Sequence, residues 1–417
     1  MKLPVEAACA AALALVAAPL AFVPLFDLLG YEWCLAMALP AAIAGAVVAV
    51  AHARRQRAFA VAQLFAGAVM RAWLVLAPAF VLIVANAARV HNCGLGTGFV
   101  WLALLPLGSA AMGAALGAVV ALVRPWRSRW APALLALAAI TLSIVWGLIR
   151  FYRAPPIAGY DPFAGWFAGS LYDEDVAPTA ALLWSRLYQA AIAGAPLGAC
   201  ALFRDEDGSL RARAARAGAC RSWSRSPRAR LAPTLGSAHA RLGFSLNGDD
   251  VARALGAERH TAHFVLHYSP TGPYARDLDA EALDVELRWA ELERVFSRAQ
   301  ARPVHAFLFD SPEQKRAILG AGDTVFANAW RREIYVQWDG WPQLGFAHEL
   351  AHVFAGVFGD PLLASSRDGV RFNVGLIEGV AVAATWSLWE PWQPLTPHQT
   401  VRVLGDAGPS TTARCRK

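Results

Sequence analysis

Charged residues and cysteines are both scarce in this chain. Only 17% of its 417 residues are charged, against about 25% in ordinary soluble domains. The six cysteines are scattered and never form a CxxC pair, which excludes both a disulfide framework and a zinc site built from thiolates. We also detect no internal repeat, which argues against a solenoid. What the chain has instead is apolar sequence, because 57% of its residues are hydrophobic and its mean hydropathy is +0.38.

The apolar residues are concentrated before about residue 203. Five runs there are long enough to cross a hydrocarbon core of about 30 Å, and a sixth, Leu187–Phe203, is shorter and follows Arg186. We therefore predict an all-α transmembrane bundle of five or six helices over residues 1–203. The five longer runs are Ala7–Phe26, Trp33–Ala51, Ala72–Ala88, Gly98–Val123 and Ala131–Ile149.

The basic residues lie at the ends of these runs. The net charge is +7 and the isoelectric point about 9.3. Because the basic residues lie at the predicted membrane edges, we expect anionic lipid as their partner and not nucleic acid. Arginines follow the second, fourth and sixth runs, at 54–57, 124–129 and 204–230. Because arginine collects on the cytoplasmic side, we expect a multi-pass protein of a bacterial-type cell membrane with its C-terminal half in the cytoplasm. If the sixth run does not cross, that half lies on the other face.

Two segments border the apolar region. Residues 204–237 are expected to form a basic linker between two domains, and the stretch 204–230, rich in arginine, alanine and serine, is typical of a flexible, lipid-facing segment. The aromatic and acidic segment Tyr160–Val176 is expected outside the membrane, either as a loop that contacts a ligand or as one lying on the membrane interface.

From residue 238 to 417 the pattern changes to an α+β domain. HFVLHYS (263–269) and VHAFLFD (304–310) are predicted strands, and residues 278–299 have the apolar spacing of an amphipathic helix. Ser311 followed by Pro312 predicts a capped helix start. REIYVQW (332–338) alternates as a half-buried strand does, either as the edge of a peptide-binding cleft or as an ordinary sheet strand.

The sequence HELAH begins at His348. His348 and His352 are four residues apart, so on a helix both imidazoles lie on one face and reach a single ion. Glu349 points to one side, where its carboxylate can take a proton from a water held by the metal. This is the H-E-x-x-H pattern of zinc metalloproteases. The alternative is a polar pair of histidines on an amphipathic helix with a solvated Glu349.

A hydrolytic zinc site needs a third protein ligand and an open position for water. Glu378 in GLIEGVAVAATW is the best candidate, because it is the single acid near the start of an otherwise apolar predicted helix. The alternative is that this carboxylate only favours the helix N-terminus electrostatically. Asp360, Glu390 and His398 are lesser candidates.

The order of predicted elements, together with HELAH and IEGVAVA, resembles the gluzincin zinc peptidases, the peptidase MA-like group. The resemblance covers residues 261–389. It implies a zincin-like metallopeptidase fold, Zn²⁺ held by His348, His352 and Glu378, Glu349 as the catalytic general base, and a peptide or protein substrate.

The chain departs from that family in two respects. The NExxSD signature is absent, and no tyrosine follows Tyr335 to stabilise an oxyanion, which leaves His398 or Arg402 for that role. Two alternatives to a membrane-anchored peptidase therefore remain. One is an inactive zincin-like module that binds a partner, and the other is a transporter or sensor whose soluble domain is regulatory.

Overall fold

The computed structural model describes residues 4–389 apart from 57–59, 93, 124–126, 154–157, 168–175, 204–226, 240, 245, 298–302, 321, 341–342, 361–364, 366 and 369–370. The chain divides into two compact units, with the boundary between Leu246 and Asn247. The Arg-rich stretch 204–226 and the chain end from 390, which includes Glu390, His398 and Arg402, lie outside the described residues.

The first unit is helical. Its helices are α1 (Val5–Leu20), α2 (Tyr31–Arg55), α3 (Val61–Asn86), α4 (Leu95–Leu102), α5 (Gly108–Val123), α6 (Ala131–Arg153), α7 (Ala180–Phe203) and α8 (Pro227–Ser237). A π-helical turn, Ala103–Leu107, joins α4 to α5. Strands β1 (Gly159–Asp161) and β2 (Gly165–Phe167) form an antiparallel hairpin between α6 and α7. Because α8 begins at Pro227, the prediction of a flexible segment is wrong for residues 227–230.

Four helical segments are long and apolar enough to cross a membrane, namely Tyr31–Arg55, Val61–Asn86, Leu95–Val123 and Ala131–Arg150. The expected count of five or six is therefore too high among the described residues. Helix α1 has only 16 residues, or about 24 Å at 1.5 Å per residue, because the helix ends before Pro24 and the chain turns through Leu25 at φ 74°. Helix α7 is long enough, but Arg186 and Gln189 interrupt its apolar sequence.

Helices α2 and α5 pack with their backbones in close approach. A Cβ atom on Gly113 would lie 1.9 Å from the carbonyl oxygen of Ala42, and one on Gly117 would lie 2.3 Å from that of Ala46. Gly113 and Gly117 form a GxxxG motif, which permits this contact between helices in a membrane.

The second unit has a five-stranded mixed sheet, a short antiparallel pair of strands, and helices. In chain order it contains α9 (Gly248–Leu255), β3 (Ala257–His260), β4 (Phe264–Tyr268), α10 (Pro273–Arg276), α11 (Leu278–Phe296), β5 (Val304–Phe309), α12 (Pro312–Leu319), β6 (Phe326–Asn328), β7 (Glu333–Gln337), α13 (Leu344–Ala355), β8 (Arg367–Asp368), β9 (Arg371–Phe372) and α14 (Val374–Trp389).

The sheet order is β3-β4-β5-β7-β6, with β4, β5 and β7 parallel and the two outer strands antiparallel to their neighbours. Strand β7 is thus interior, and the alternative of β7 as the cleft edge is wrong. Strand β6 takes that outer position, beside β7 and in contact with α13.

One apolar core fixes α13 on the sheet. Trp289 of α11 and Phe346, Leu350 and Phe354 of α13 pack with alternate residues of β4, β5 and β7, and Ala381 of α14 joins them. Each of the four larger side chains is at most 1% exposed. Burial of this size stabilises a unit by roughly 1.5–3 kcal/mol per side chain, so the orientation of α13 is strongly determined.

Candidate metal centre

Helix α13 presents its two histidines together. The apolar face Phe346, Leu350, Phe354 is buried on the core, which turns His348 and His352 to the same neighbouring face. Their Nε2 atoms are 3.1 Å apart. The rings are nearly perpendicular, at an interplanar angle of 84°.

Helix α14 carries Glu378 to the same place. At its start the side-chain oxygen of Asn373 accepts a hydrogen bond from the Leu376 N–H, and Ala381 is buried against α13. Oε2 of Glu378 then lies 3.3 Å from Nε2 of His348 and 3.5 Å from Nε2 of His352. The three residues expected as metal ligands are therefore brought together, although 25 positions separate Glu378 from His352.

The spacing of these three atoms matches a tetrahedral ion. Zinc bonds of about 2.0–2.1 Å to nitrogen and oxygen place tetrahedral ligand atoms about 3.3 Å apart. The three separations here are 3.1, 3.3 and 3.5 Å. Two imidazoles and one carboxylate are also the donors that zinc takes in catalytic sites with an open fourth position. The residues present therefore fit a zinc ion.

Glu349 lies beside this triangle. Its carboxylate and the nitrogens of the two histidines lie within 4.8 Å of one another, so it is placed to contact a molecule at the ion. The residue is 4% exposed. Burial, and then the charge of Glu378, raise the pKa of Glu349 to about 8, against a smaller lowering by Lys315.

The environment also favours the neutral imidazole that a metal requires. Burial lowers the pKa of His352, the neighbouring His348 lowers it further, and Glu378 opposes both. A neutral ring keeps the lone pair on Nε2 available. The cluster is open on one side, because the Glu378 side chain is 44% exposed while those of the two histidines are below 20%.

A buried polar network, which sequence reasoning missed, holds the start of α13. The Tyr274 hydroxyl donates to Oε1 of Gln343 at 3.0 Å, and Nε2 of Gln343 donates to Oε2 of Glu281 at 3.4 Å. Burial, and then Asp284, raise the pKa of Glu281 to about 8. A signal existed in the sequence, since Glu281 is four residues before Val285 and eight before Trp289, on the apolar face of α11.

Asp360 is the one lesser ligand candidate among the described residues, and it is not part of this cluster. Asp360 follows the 3₁₀ segment Gly356–Phe358, and its N–H donates to the carbonyl of Ser365. In the part of the chain that the structure describes, His348, Glu349 and His352 form a group that could hold a metal ion, and Glu378 lies within 3.5 Å of both histidines.

Comparisons with protein-family models, curated proteins and solved structures find no match to this chain. Proposals about its activity therefore depend on the chemistry of the cluster itself.

Proposed function

We propose that this chain is a membrane-anchored, zinc-dependent peptidase of the gluzincin type, with a zincin-like fold in its second unit. The observation that carries the proposal is the triangle of donor atoms from His348, His352 and Glu378, with sides of 3.1, 3.3 and 3.5 Å. The histidines and Glu378 are also within hydrogen-bond or ion-pair distance of one another, and a shared ion would use all three donor atoms at once.

The donor set also fits non-haem iron. Two histidines and a carboxylate form the facial triad of non-haem iron enzymes, which leaves several positions open. The adjacent buried carboxylate of Glu349 favours zinc, because a general base beside the ion serves hydrolysis. Metal analysis distinguishes the two ions directly.

In this proposal the three ligands orient the ion, and Glu349 moves the proton. Zinc, when bound, polarises a carbonyl and lowers the pKa of water. The Glu349 carboxylate accepts a proton from the attacking water and then donates it to the departing amine. Its apolar surroundings, with Leu350 and Phe346 as neighbours on α13, keep bulk water from competing for that proton.

The substrate class we propose is an extended peptide. The outer strand β6 has one pairing partner, β7, among the described strands, and it contacts the helix that carries the histidines. An extended chain can add to such an edge through main-chain hydrogen bonds.

Metal content and peptide cleavage test the proposal on the full chain purified in detergent. Wild type and Glu349→Gln are expected to hold one zinc per chain, and His352→Ala to lose it. Glu349→Gln should slow cleavage of a peptide library by about 10²–10⁴-fold, the usual contribution of a general base. His260→Ala is the matched control, because His260 is an exposed histidine on β3.

Retained zinc in His352→Ala, or retained cleavage in Glu349→Gln, would contradict the assignment. Zinc in the wild type without cleavage of any peptide would favour the inactive binding module instead.

The membrane side is a further part of the proposal. If α7 crosses along with the helices before it, the arginine pattern places the metal centre in the cytoplasm. A reporter fused after residue 389 should then report a cytoplasmic location, and an external signal would show that α7 does not cross.

A further inference from the structure

The β1–β2 hairpin of the first unit lies against the sides of helices. It contacts α2, α6 and the π-helical turn. A Cβ atom on Gly165, which has φ +95°, would lie 3.4 Å from Cβ of Ala38 and 3.3 Å from Cδ2 of Leu105. Ala38 is seven residues into α2, or about 10 Å along its axis. Irregular backbone beside the interior of membrane helices is tolerated where it is buried in protein or lines a polar cavity.

Aromatic contacts hold the hairpin in this position. Trp166 of β2 stacks on Trp101 of α4, with centroids 5.6 Å apart and planes at 7°. The Tyr31 hydroxyl at the start of α2 donates to the Trp166 carbonyl at 3.1 Å. Trp166 is 5% exposed, so the hairpin is an integral part of this unit.

The guanidinium of Arg186 lies under the hairpin with neutral partners. Its Nη1 donates to the Pro162 carbonyl at 3.3 Å and to Oε1 of Gln189 at 2.8 Å, and its Nη2 donates to Oγ of Ser109 at 3.2 Å. Its Nε is buried and has no hydrogen-bond partner among the described residues.

The nearby acid does not neutralise this cation directly. Asp161 accepts hydrogen bonds from the Phe163 and Ala164 N–H groups and from the Ser143 hydroxyl. No ion pair within 4.0 Å joins Asp161 to Arg186 in the described part of the chain. The charge of Asp161 acts on Arg186 only from beyond ion-pair distance, and an ionisable group among membrane helices commonly marks a functional site.

We propose that Arg186 binds an anionic group, a carboxylate or a phosphate, at a second site within the first unit. Three of its five N–H groups already have acceptors, and the remaining two are on the adjacent atoms Nε and Nη2. Together these form an edge of the guanidinium that matches two oxygens of a carboxylate or phosphate.

Two glycines border that same edge. A Cβ atom on Gly108 would lie 3.5 Å from Nε, and one on Gly165 would lie 3.6 Å from Nη2, so neither residue places a side chain against this edge. Gly108 directly follows the π-helical turn, a local irregularity that is frequent at functional sites. This second site gives the first unit a ligand, as a transporting or sensing role requires.

The test uses the full chain in dodecyl maltoside micelles in phosphate-free buffer. Three probes are titrated separately: inorganic phosphate, butyrate, and phosphatidylglycerol added to the micelles. Each titration follows the unfolding temperature by tryptophan fluorescence. We expect at least one probe to raise it saturably by a few degrees, as a ligand specific for the native state does. A response to the soluble anions identifies a free ligand, and a response to the lipid alone identifies a headgroup.

Variants separate binding from a structural role. Arg186→Gln should abolish the response. Gly108→Ala places its methyl group at ordinary contact distances, so this variant should fold normally. Because the methyl group obstructs the Nε donor of Arg186, about tenfold more probe should be needed to reach half of the maximal rise in unfolding temperature. Gly147→Ala, whose Cβ would meet nothing within 4 Å, should respond like wild type. No response to any probe, or an unchanged response in Gly108→Ala, would overturn the proposal.

Discussion

The two units are packed by different kinds of side chain. In the first, Gly113 and Gly117 of α5 bring that helix against the backbone of α2 at Ala42 and Ala46. In the second, Trp289, Phe264 and Phe354 fill the space between sheet and helices, with ring centroids 4.8–5.6 Å apart.

We attribute this difference to the surroundings expected for each sequence, lipid for the first unit and water for the second. Lipid tails are as apolar as leucine, so helices in a membrane gain stability through close packing of small residues. In water the burial of large apolar surface is the main stabilising term. The same substitution is therefore expected to have different effects in the two units, and hydrogen exchange of the full chain measures each unit separately.

The largest stability effect is expected for Trp289→Ala. Trp289 is 1% exposed and contacts Phe264, Phe354 and His263. Removing a buried tryptophan side chain lowers the free energy of unfolding by about 3–5 kcal/mol. Amide protection in β4 and β5 should fall by that amount, while protection in α2 and α5 is unchanged.

Leu283→Ala is the control for this prediction, because Leu283 lies on the same helix and is 74% exposed. Its effect should stay within about 0.5 kcal/mol. Equal losses for the two variants would show that the apolar core does not determine the stability of the second unit.

The next effect is a pH dependence specific to the second unit. The pKa of Glu281 is raised from 4.5 to about 8 in the folded chain by burial and by Asp284. Between those two values the folded state keeps a proton that the unfolded state has lost, so stability falls as pH rises through this window. Above pH 8 the folded state is destabilised by the full cost of ionising the buried carboxyl group of Glu281.

Glu281→Gln should remove this penalty, since glutamine stays neutral and can still accept from Gln343. The variant should therefore be more stable than wild type at pH 9. The difference between their free energies of unfolding should be larger at pH 9 than at pH 5 by on the order of 3 kcal/mol. The measurement is hydrogen exchange of β4 and β5 at both pH values. A gain that is the same at both would mean that Glu281 is ionised in the folded state at pH 5.

A smaller effect is expected in the first unit for Gly113→Ala. The new methyl group would lie 1.9 Å from the Ala42 carbonyl oxygen, so α2 and α5 must separate. Overpacking of this kind costs about 1–3 kcal/mol. Protection of α2 and α5 should fall while that of β5 is unchanged.

Gly147→Ala makes the same change on α6 where nothing lies within 4 Å. It should stabilise slightly, because alanine favours a helix by up to about 1 kcal/mol over glycine. If both substitutions changed the stability in the same direction, close packing would not explain the role of Gly113.

Local patterns predicted most elements of the second unit. The strand at 263–269, the helix at 278–299 and the strand at 304–310 correspond to β4, α11 and β5, because apolar spacing encodes which face is buried. The helix start at Ser311 was also predicted, and its hydroxyl accepts from the Gln314 N–H at 3.2 Å. The expected ligands His348, His352 and Glu378 converge in the structure.

Features that depend on distant partners were not predicted. Strand β6 has three residues, too few to show the alternation of apolar and polar residues that marks a strand. Its position beside β7 could therefore not be predicted from the sequence. The docking of the β1–β2 hairpin depends on Trp101 and Arg186, which come from other elements. The GxxxG motif of α5 was readable, but its partner surface on α2 was not, because alanines are common throughout that region.

The smallest predicted effect is at the boundary between the units. Asn247, the first residue of the second unit, caps α9. Its side chain accepts from the Asp250 N–H at 3.0 Å, while the Asp250 carboxylate accepts from the Asn247 N–H at 3.1 Å.

Asn247→Ala removes the acceptor of this capping box and should lower amide protection in α9 by about 1 kcal/mol. Asn247→Ser keeps an acceptor and should restore most of it. Protection in α8, on the other side of the boundary, should be equal in both variants. A matching loss in α8 would mean that α8 and α9 unfold together, and that the units are not separated at Asn247.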